Sequence, residues 1–297
     1  MPTNPDNSRW QMASTYFADR ESKEEMTRLA VQDQFVTKGM GGVLPEQADP
    51  HLFERVLDVG CGTGGWLIET AQTYPGITKL VGIDVNSRMI KYAREQAKAA
   101  QVADRVEFEV MDALLMLEFP YNYFDLANIR FAVSFMRTWQ WPKLLREMQR
   151  VTRPGGVLRL TEFEHVTSSH PAPMRMFGLI GEAFFRAGHL FSEAQTTDTF
   201  THGSFGVADD LARLLAQHGI RNVQTRRSTQ EFLYGTPETQ SFALDFQLGF
   251  RTSVPFMQKW ANLPANYEQL YQEALLAMQQ PDYVASWNLL TAWGNKP

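Results

Sequence analysis

Residues 55–66, Arg-Val-Leu-Asp-Val-Gly-Cys-Gly-Thr-Gly-Gly-Trp, set one carboxylate, Asp58, two positions ahead of a run rich in glycine. Glycine has no Cβ, so the backbone of such a turn can close on a ligand, and the amides of a helix starting there point at any polar or negative group held in it. Gly60, Gly62 and Gly65 fit the G-x-G-x-x-G spacing of dinucleotide-binding turns. Asp58 speaks against that ligand. At the end of an apolar run it repels a pyrophosphate and attracts the ammonium of an amino-acid-like molecule. A second carboxylate, Asp84, lies about twenty residues beyond the loop, the spacing at which a Rossmann-like fold sets an acidic side chain against two ribose hydroxyls. Its alternative use is to cap the next helix.

These groups need strands to carry them and helices to frame them. Val56, Leu57 and Val59 make a short buried strand that stops at Gly60, and the helix that follows ends before Pro75. Residues 79–85 form a second buried strand ending at Asp84. Asn86 or Ser87 then caps a helix with Ile90, Ala93, Ala97 and Ala100 on its inner side. Residues 105–111 alternate as a third strand and 123–130 make a fourth, with Asn128 and Arg130 at its carboxyl end, where open α/β sheets place ligands. A helix over 139–152 with Pro142 in its first turn, the turn Arg153-Pro-Gly-Gly156 and a strand over 157–162 follow.

Asp58 with its glycines, Asp84, Asp112 and the Pro154-Gly155-Gly156 turn, in this order and spacing, resemble the class I S-adenosylmethionine-dependent methyltransferases. The resemblance implies a Rossmann-like α/β fold: seven mostly parallel strands in the order 3-2-1-4-5-7-6, the last antiparallel, with helices on both faces and helical insertions as a lid. It implies S-adenosylmethionine as cofactor, with Asp58, Gly60, Gly62 and Gly64 around its methionine part and Asp84 at the ribose, and with Cys61, Val85 and Met89 in the cofactor-binding set. Asp112 and Ala113 would sit at the adenine, and Asn128 and Gln32 also join the cofactor-binding set. Tyr16, Glu25, Arg28, Leu29 and Gln32 in a helix over 16–37 resemble the amino-terminal helix that many small-molecule members fold over the cofactor. A surface helix at the sheet edge is the other reading of that segment.

The resemblance divides the chain into a cap over 1–50 and a methyltransferase domain over 51–297, with insertions at about 164–206 and 236–264 around the acceptor pocket. The first insertion is aromatic and lacks periodicity, and it includes Phe177, Phe184, Phe200 and Phe205. Beyond it a helix over 209–219, an exposed antiparallel strand over 222–232, a helix over 266–279 and a strand over 283–294 complete the expected fold. Arg130, Phe131, Phe135, Trp139 and Phe177 are the expected acceptor-pocket residues. Glu162 and His165, after the fifth strand, are candidate bases for an acceptor that must lose a proton.

Composition narrows the partner. A net charge of −5, from 28 basic and 33 acidic residues without a long basic run, gives no nucleic-acid footprint. No run approaches the length of a membrane span and the amino terminus lacks the apolar core of a signal peptide, so a cytoplasmic protein is expected. The single cysteine, Cys61, leaves no internal disulfide, and His170, His189 and His202 lack a one-turn spacing, so no metal is expected. The reaction expected is methyl transfer to oxygen, nitrogen or an unsaturated carbon of a hydrophobic or aromatic small molecule. Protein or nucleic-acid methylation, and cofactor binding without transfer, are the alternatives. The oligomeric state is unassigned, and exchange of the amino-terminal helix leaves a homodimer open.

Overall fold

In a computed structural model, residues 16–19, 22–191 and 206–297 are described. Their strands are β1 (Arg55–Val59), β2 (Lys79–Asp84), β3 (Val106–Val110), β4 (Phe124–Arg130), β5 (Thr152–Ser168), β6 (Arg221–Leu233) and β7 (Val284–Asn295). They form one sheet ordered β3-β2-β1-β4-β5-β7-β6, in which β7 runs antiparallel to both neighbours. The helices are α1 (Lys23–Met40), α2 (Gly65–Thr73), α3 (Ser87–Ala99), α4 (Trp141–Val151), α5 (Pro171–Arg186), α6 (Leu211–Gln217), α7 (Pro237–Thr252), α8 (Val254–Trp260) and α9 (Tyr267–Ala277).

The apolar runs explain the central strands. In β1, Val56 joins a core with Trp66, Leu80, Ile90 and Phe108, while Leu57 and Val59 join the opposite core with Val81, Ile129 and Leu160. Successive side chains of a strand point to opposite faces, so a sheet covered on both needs such unbroken runs. At the other edge β6 is mostly exposed, and its alternation is that of a strand covered on one side.

Local chemistry sets the ends. Asn86 caps α3 by accepting from the amides of Arg88, 2.9 Å, and Met89, 3.3 Å. Ser22 caps α1, which stops at left-handed Gly41. At the start of β4 the Asp125 carboxylate accepts from the amides of Glu54 and Arg55, both 2.7 Å, and pairs with Arg153.

Two boundaries differ from the sequence expectation. The fifth strand reaches from Thr152 to Ser168 and absorbs the Arg153-Pro-Gly-Gly156 turn as an irregularity, with a register shift between Phe124 and Leu126 in its pairing with β4. It continues to Ser168 because β7 pairs with it as far as Ala285. Residues 164–168 therefore belong to the sheet, and helix α5 follows where no periodicity was legible. Phe200, His202 and Phe205 lie outside the described residues. The amino-terminal helix begins at Lys23 rather than Tyr16 and packs against α7 and β6.

Candidate active site

One cavity opens above the carboxyl ends of β1, β2 and β4 and runs under α1 to the aromatic side chains of β5, α5, α7 and β7. At its first end stands the glycine turn. Gly60 and Gly62 both have left-handed backbone, φ +69° and +52°, and a Cβ built on Gly60 would lie 2.9 Å from the Phe135 ring. The amides of Gly60 and Cys61 bond the Ile83 carbonyl at 2.8 and 3.0 Å, which ties the turn to β2. At the end of β2, Asp84 accepts from the amides of Gly62, 3.1 Å, and Asn86, 2.8 Å. Its carboxylate is thereby fixed at the cavity wall beside Val85 and Met89.

Asp58 is buried, and its Oδ1 accepts from Asn128 Nδ2 at 2.7 Å. Asn128 Oδ1 in turn accepts from Arg159 at 2.8 Å, and Arg159 pairs with buried Glu46, also at 2.8 Å. Burial pushes the Asp58 carboxyl up to about 7, against Arg130 and the Asn128 hydrogen bond, which pull it down. A cationic partner would restore its charge.

The roof is α1, from which Arg28, Leu29, Gln32 and Asp33 face the cavity. Arg28 donates twice to Glu25, at 2.8 and 2.7 Å, and once to Asp245 of α7 at 3.0 Å. The Tyr16 hydroxyl donates to Glu25 at 2.5 Å, and Gln32 reaches Asp245 at 3.4 Å. Burial pushes the Asp245 carboxyl up to about 6, with Arg28 opposing it. Arg130 pairs with Asp33, so β4 and α1 are joined across the cavity.

The second end is aromatic. Phe131 stacks on Phe163 with ring centroids 4.3 Å apart, and Phe163 meets Trp287 edge-on at 4.6 Å. Phe177, Phe246 and Phe250 close the far wall.

Of the residues expected from sequence, the cavity brings together Gln32, Asp58, Gly60, Cys61, Gly62, Asp84, Val85, Met89, Ala113, Arg130, Phe131, Phe135 and Phe177. Six lie outside its lining. Gly64 turns α2 in, its missing Cβ facing Phe108 at 2.5 Å. Asp112 accepts from the Leu114 amide at 2.8 Å within its own turn. Asn128 stands behind Asp58. Trp139 is 62% exposed and packs over Gly188. His165 is part of β5, opposite Asn288 of β7, because the strand is longer than its apolar run. Glu162 is buried, with Oε1 accepting from the Val133 amide at 3.1 Å and Oε2 without a partner among the described residues. Burial pushes its carboxyl up to about 8 against the Val133 and Ala132 amides. Among the histidines, His189 is buried and bonds the Val133 carbonyl at 2.6 Å, while His170 sits at the start of α5.

Sequence reasoning set the 236–264 insertion around the acceptor pocket but singled out none of the α7 residues that line the cavity, Asp245, Phe246 and Phe250. Their signal is a lone carboxylate inside an otherwise aromatic helical run from Phe242 to Phe250.

A glycine turn and two carboxylates at the ends of parallel strands, in a sheet ordered 3-2-1-4-5-7-6, define a Rossmann-like methyltransferase architecture. A family model described as a methyltransferase domain matches residues 56–156. The chain is 32% identical to the demethylmenaquinone methyltransferase of Deinococcus radiodurans over 194 residues, 63% of this chain and 76% of that protein. It is 30% identical to the enzyme of the same name from Lactiplantibacillus plantarum over 179 residues, 58% of this chain and 73% of that protein. Among solved structures, the YcgJ protein of Bacillus subtilis superposes with a TM-score of 0.55 at 17% identity, covering 88% of this chain and 99% of that one. The chain belongs to the class I S-adenosylmethionine-dependent methyltransferases, and S-adenosylmethionine is its cofactor.

Proposed function

We propose that the chain transfers a methyl group to a hydrophobic or aromatic small molecule held at the aromatic end of the cavity. The observation that carries this reading is continuity: the space lined by Asp58, Gly60 and Asp84 is the same space lined by Phe131, Phe163, Phe177 and Phe250. Both relatives are named for demethylmenaquinone, which supports a ring compound as acceptor.

The residues present suit the cofactor. Asp58 is a buried carboxylate suited to an ammonium, Asp84 offers two oxygens to vicinal hydroxyls, and Val85, Met89, Met111 and Ala113 give an apolar slot for a flat base. The sulfonium brings its own activation, so the protein has to align and to exclude water. Roof helix α1 and its ion pairs to α7 and β4 provide the exclusion. Where the acceptor gives up a proton, Asp245 is the carboxylate that faces the aromatic end, whereas Glu162 and His165 lie off the cavity. We assign α1 to a cap, and α5 after the fifth strand and α7 within the insertion around 236–264 to the walls of the acceptor pocket. Among the described residues no helix is long and apolar enough to cross a membrane.

The test is to incubate the purified protein with methyl-labelled S-adenosylmethionine and a lysate of its host and to fractionate the products. Label in the organic phase supports the reading. Label in protein or nucleic acid overturns the choice of acceptor, and no transfer despite tight cofactor binding points to a binding protein.

A further inference from the structure

A row of polar side chains crosses the sheet at the cofactor end of the cavity. Asp58 of β1, Asn128 of β4 and Arg159 of β5 are register partners on adjacent strands, so they share one face and lie side by side. Arg159 Nη1 donates to Asn128 Oδ1 at 2.8 Å, and Asn128 Nδ2 donates to Asp58 Oδ1 at 2.7 Å. Of the three, Asp58 alone lines the cavity. Arg159 is fully buried, and its Nε and Nη2 donate to Glu46 Oε1 and Oε2 at 2.8 and 3.3 Å. The Glu46 side chain, from the link between α1 and β1, is 1% exposed, and Gln47 Nε2 donates to its Oε1 at 2.9 Å. Burial pushes the Glu46 carboxyl up, but Arg159 outweighs it and holds the carboxyl below its ordinary value, so the pair is ionic.

Stability alone does not call for this row, because desolvating two opposite charges costs about as much as their attraction returns. What the ion pair supplies is direction. A guanidinium only donates, so Asn128 turns its oxygen to Arg159 and its NH2 to Asp58, and Glu46 holds the guanidinium in the orientation that does this. Turned the other way, the amide would set its oxygen against a carboxylate. Burial opposes the ionised form of Asp58, whereas Arg130, the Asn128 hydrogen bond and Arg159 favour it. The other charged or titratable neighbours are Asp33 of α1, which opposes ionisation, Cys61 of the turn, Asp84 of β2, and Glu69 of α2, which bears on Asp33 and Arg130.

We infer that Arg159, held by Glu46, is a positioning residue for the cofactor: through the Asn128 amide it keeps Asp58 oriented and charged to receive the ammonium of S-adenosylmethionine. The inference rests on the assignment of Asp58 to that ammonium. Without a ligand the Asp58 carboxyl stands at about 7, so below that pH a bound ammonium displaces its proton to solvent. Affinity then rises with pH up to this break and is level above it. Loss of Arg159 removes a charge and frees the amide, both of which favour the protonated carboxyl, and the break moves to higher pH.

The test is calorimetric binding to the full chain from about pH 5.5 to about pH 8.5, with S-adenosylhomocysteine and with 5′-methylthioadenosine, which keeps the adenosine and thioether but lacks the ammonium. For the wild type, S-adenosylhomocysteine should weaken by up to about tenfold per pH unit below the break, and 5′-methylthioadenosine should stay level. The double variant Arg159→Met with Glu46→Gln removes both charges together and so leaves neither unpaired. It should bind S-adenosylhomocysteine roughly three- to tenfold more weakly near neutrality, with the break moved upward, and 5′-methylthioadenosine within about twofold of wild type. Glu46→Gln alone keeps an acceptor for Arg159 and should leave the break in place. Arg159→Lys is the second variant, used if the double one does not fold. It keeps the charge but has no fork to hold Glu46 and Asn128 together, and it should move the break in the same direction. An unmoved break, or equal weakening of both ligands, overturns the inference while leaving Asp58 at the ammonium. A level wild-type profile, or an Asp58→Asn variant that keeps the break, would instead overturn the assignment of Asp58 itself.

Discussion

The two ends of the cavity are built differently. The glycine-turn end takes its geometry from the contiguous residues 55–66 and the next strand: left-handed glycines, backbone amides and Asp84, which accepts two of those amides. The roof and aromatic end is assembled from residues far apart in sequence, such as Arg28 with Asp245 and Phe163 with Trp287. The first kind of site is held by backbone conformation and tolerates changes of its side chains. The second is held by side chains, and a single one can carry much of the wall.

The sharpest way to break this comparison is at Arg28. Removing its guanidinium leaves Glu25, fully buried, and Asp245, 6% exposed, facing each other without a cation. Arg28→Met should cost about 3–5 kcal/mol in chemical denaturation, the penalty of an uncompensated buried charge. A loss under about 1 kcal/mol would show that α1 is held by its apolar contacts instead.

Next in size is the pH dependence set by Glu162. Its carboxyl stands at about 8 in the fold against 4.5 when free, so between those values the folded state keeps a proton that the unfolded state has released. Stability is then present in full below pH 4.5 and falls as pH rises toward 8, at up to about 1.4 kcal/mol per pH unit. Glu162→Gln should flatten that part of the profile in urea titrations run across the window. A profile parallel to the wild type would mean that Glu162 ionises freely in the fold.

A smaller effect is expected at the glycine-turn end. Asp84→Ala should weaken S-adenosylhomocysteine by about 1–3 kcal/mol through lost hydrogen bonds while changing the unfolding midpoint little. Unchanged affinity in calorimetry removes Asp84 from the ribose. A large fall in stability would show that its bonds to the Gly62 and Asn86 amides matter more than the ligand.

What could be read in advance follows the same division. Residues 55–66 and the Asn86 cap are matters of local pattern, the strand order came with the family resemblance that those residues carry, and the observed strands β1 to β4 lie within a residue of the expected ones. The length of β5 was not legible, since Glu164, His165 and Thr167 look like a loop until β7 lies beside them. Asp245 was passed over for the same reason: its partner is 217 residues away. Glu162 and His165 follow an apolar run and so resemble site residues, but the pleat sets Glu162 on the face opposite Phe163, and His165 lies beyond a register shift between Phe163 and His165, outside the cavity lining.

Trp139 is where the comparison predicts almost nothing. Its sequence position, after the fourth strand and close to Phe131 and Phe135, made it a pocket residue, yet the 3-10 turn at Thr138–Gln140 carries it outward. There its ring covers Gly188 and lies 5.3 Å from the Arg137 guanidinium. An exposed cation–π pair is worth about 0.5–1 kcal/mol. Trp139→Ala should therefore lower stability by no more than about 1 kcal/mol and leave methyl transfer into the organic phase within about twofold of wild type. A greater loss of transfer at unchanged cofactor affinity would extend the acceptor site beyond the wall of Phe131, Phe163 and Trp287 to the surface turn, and would make proximity in sequence the better guide at this end too.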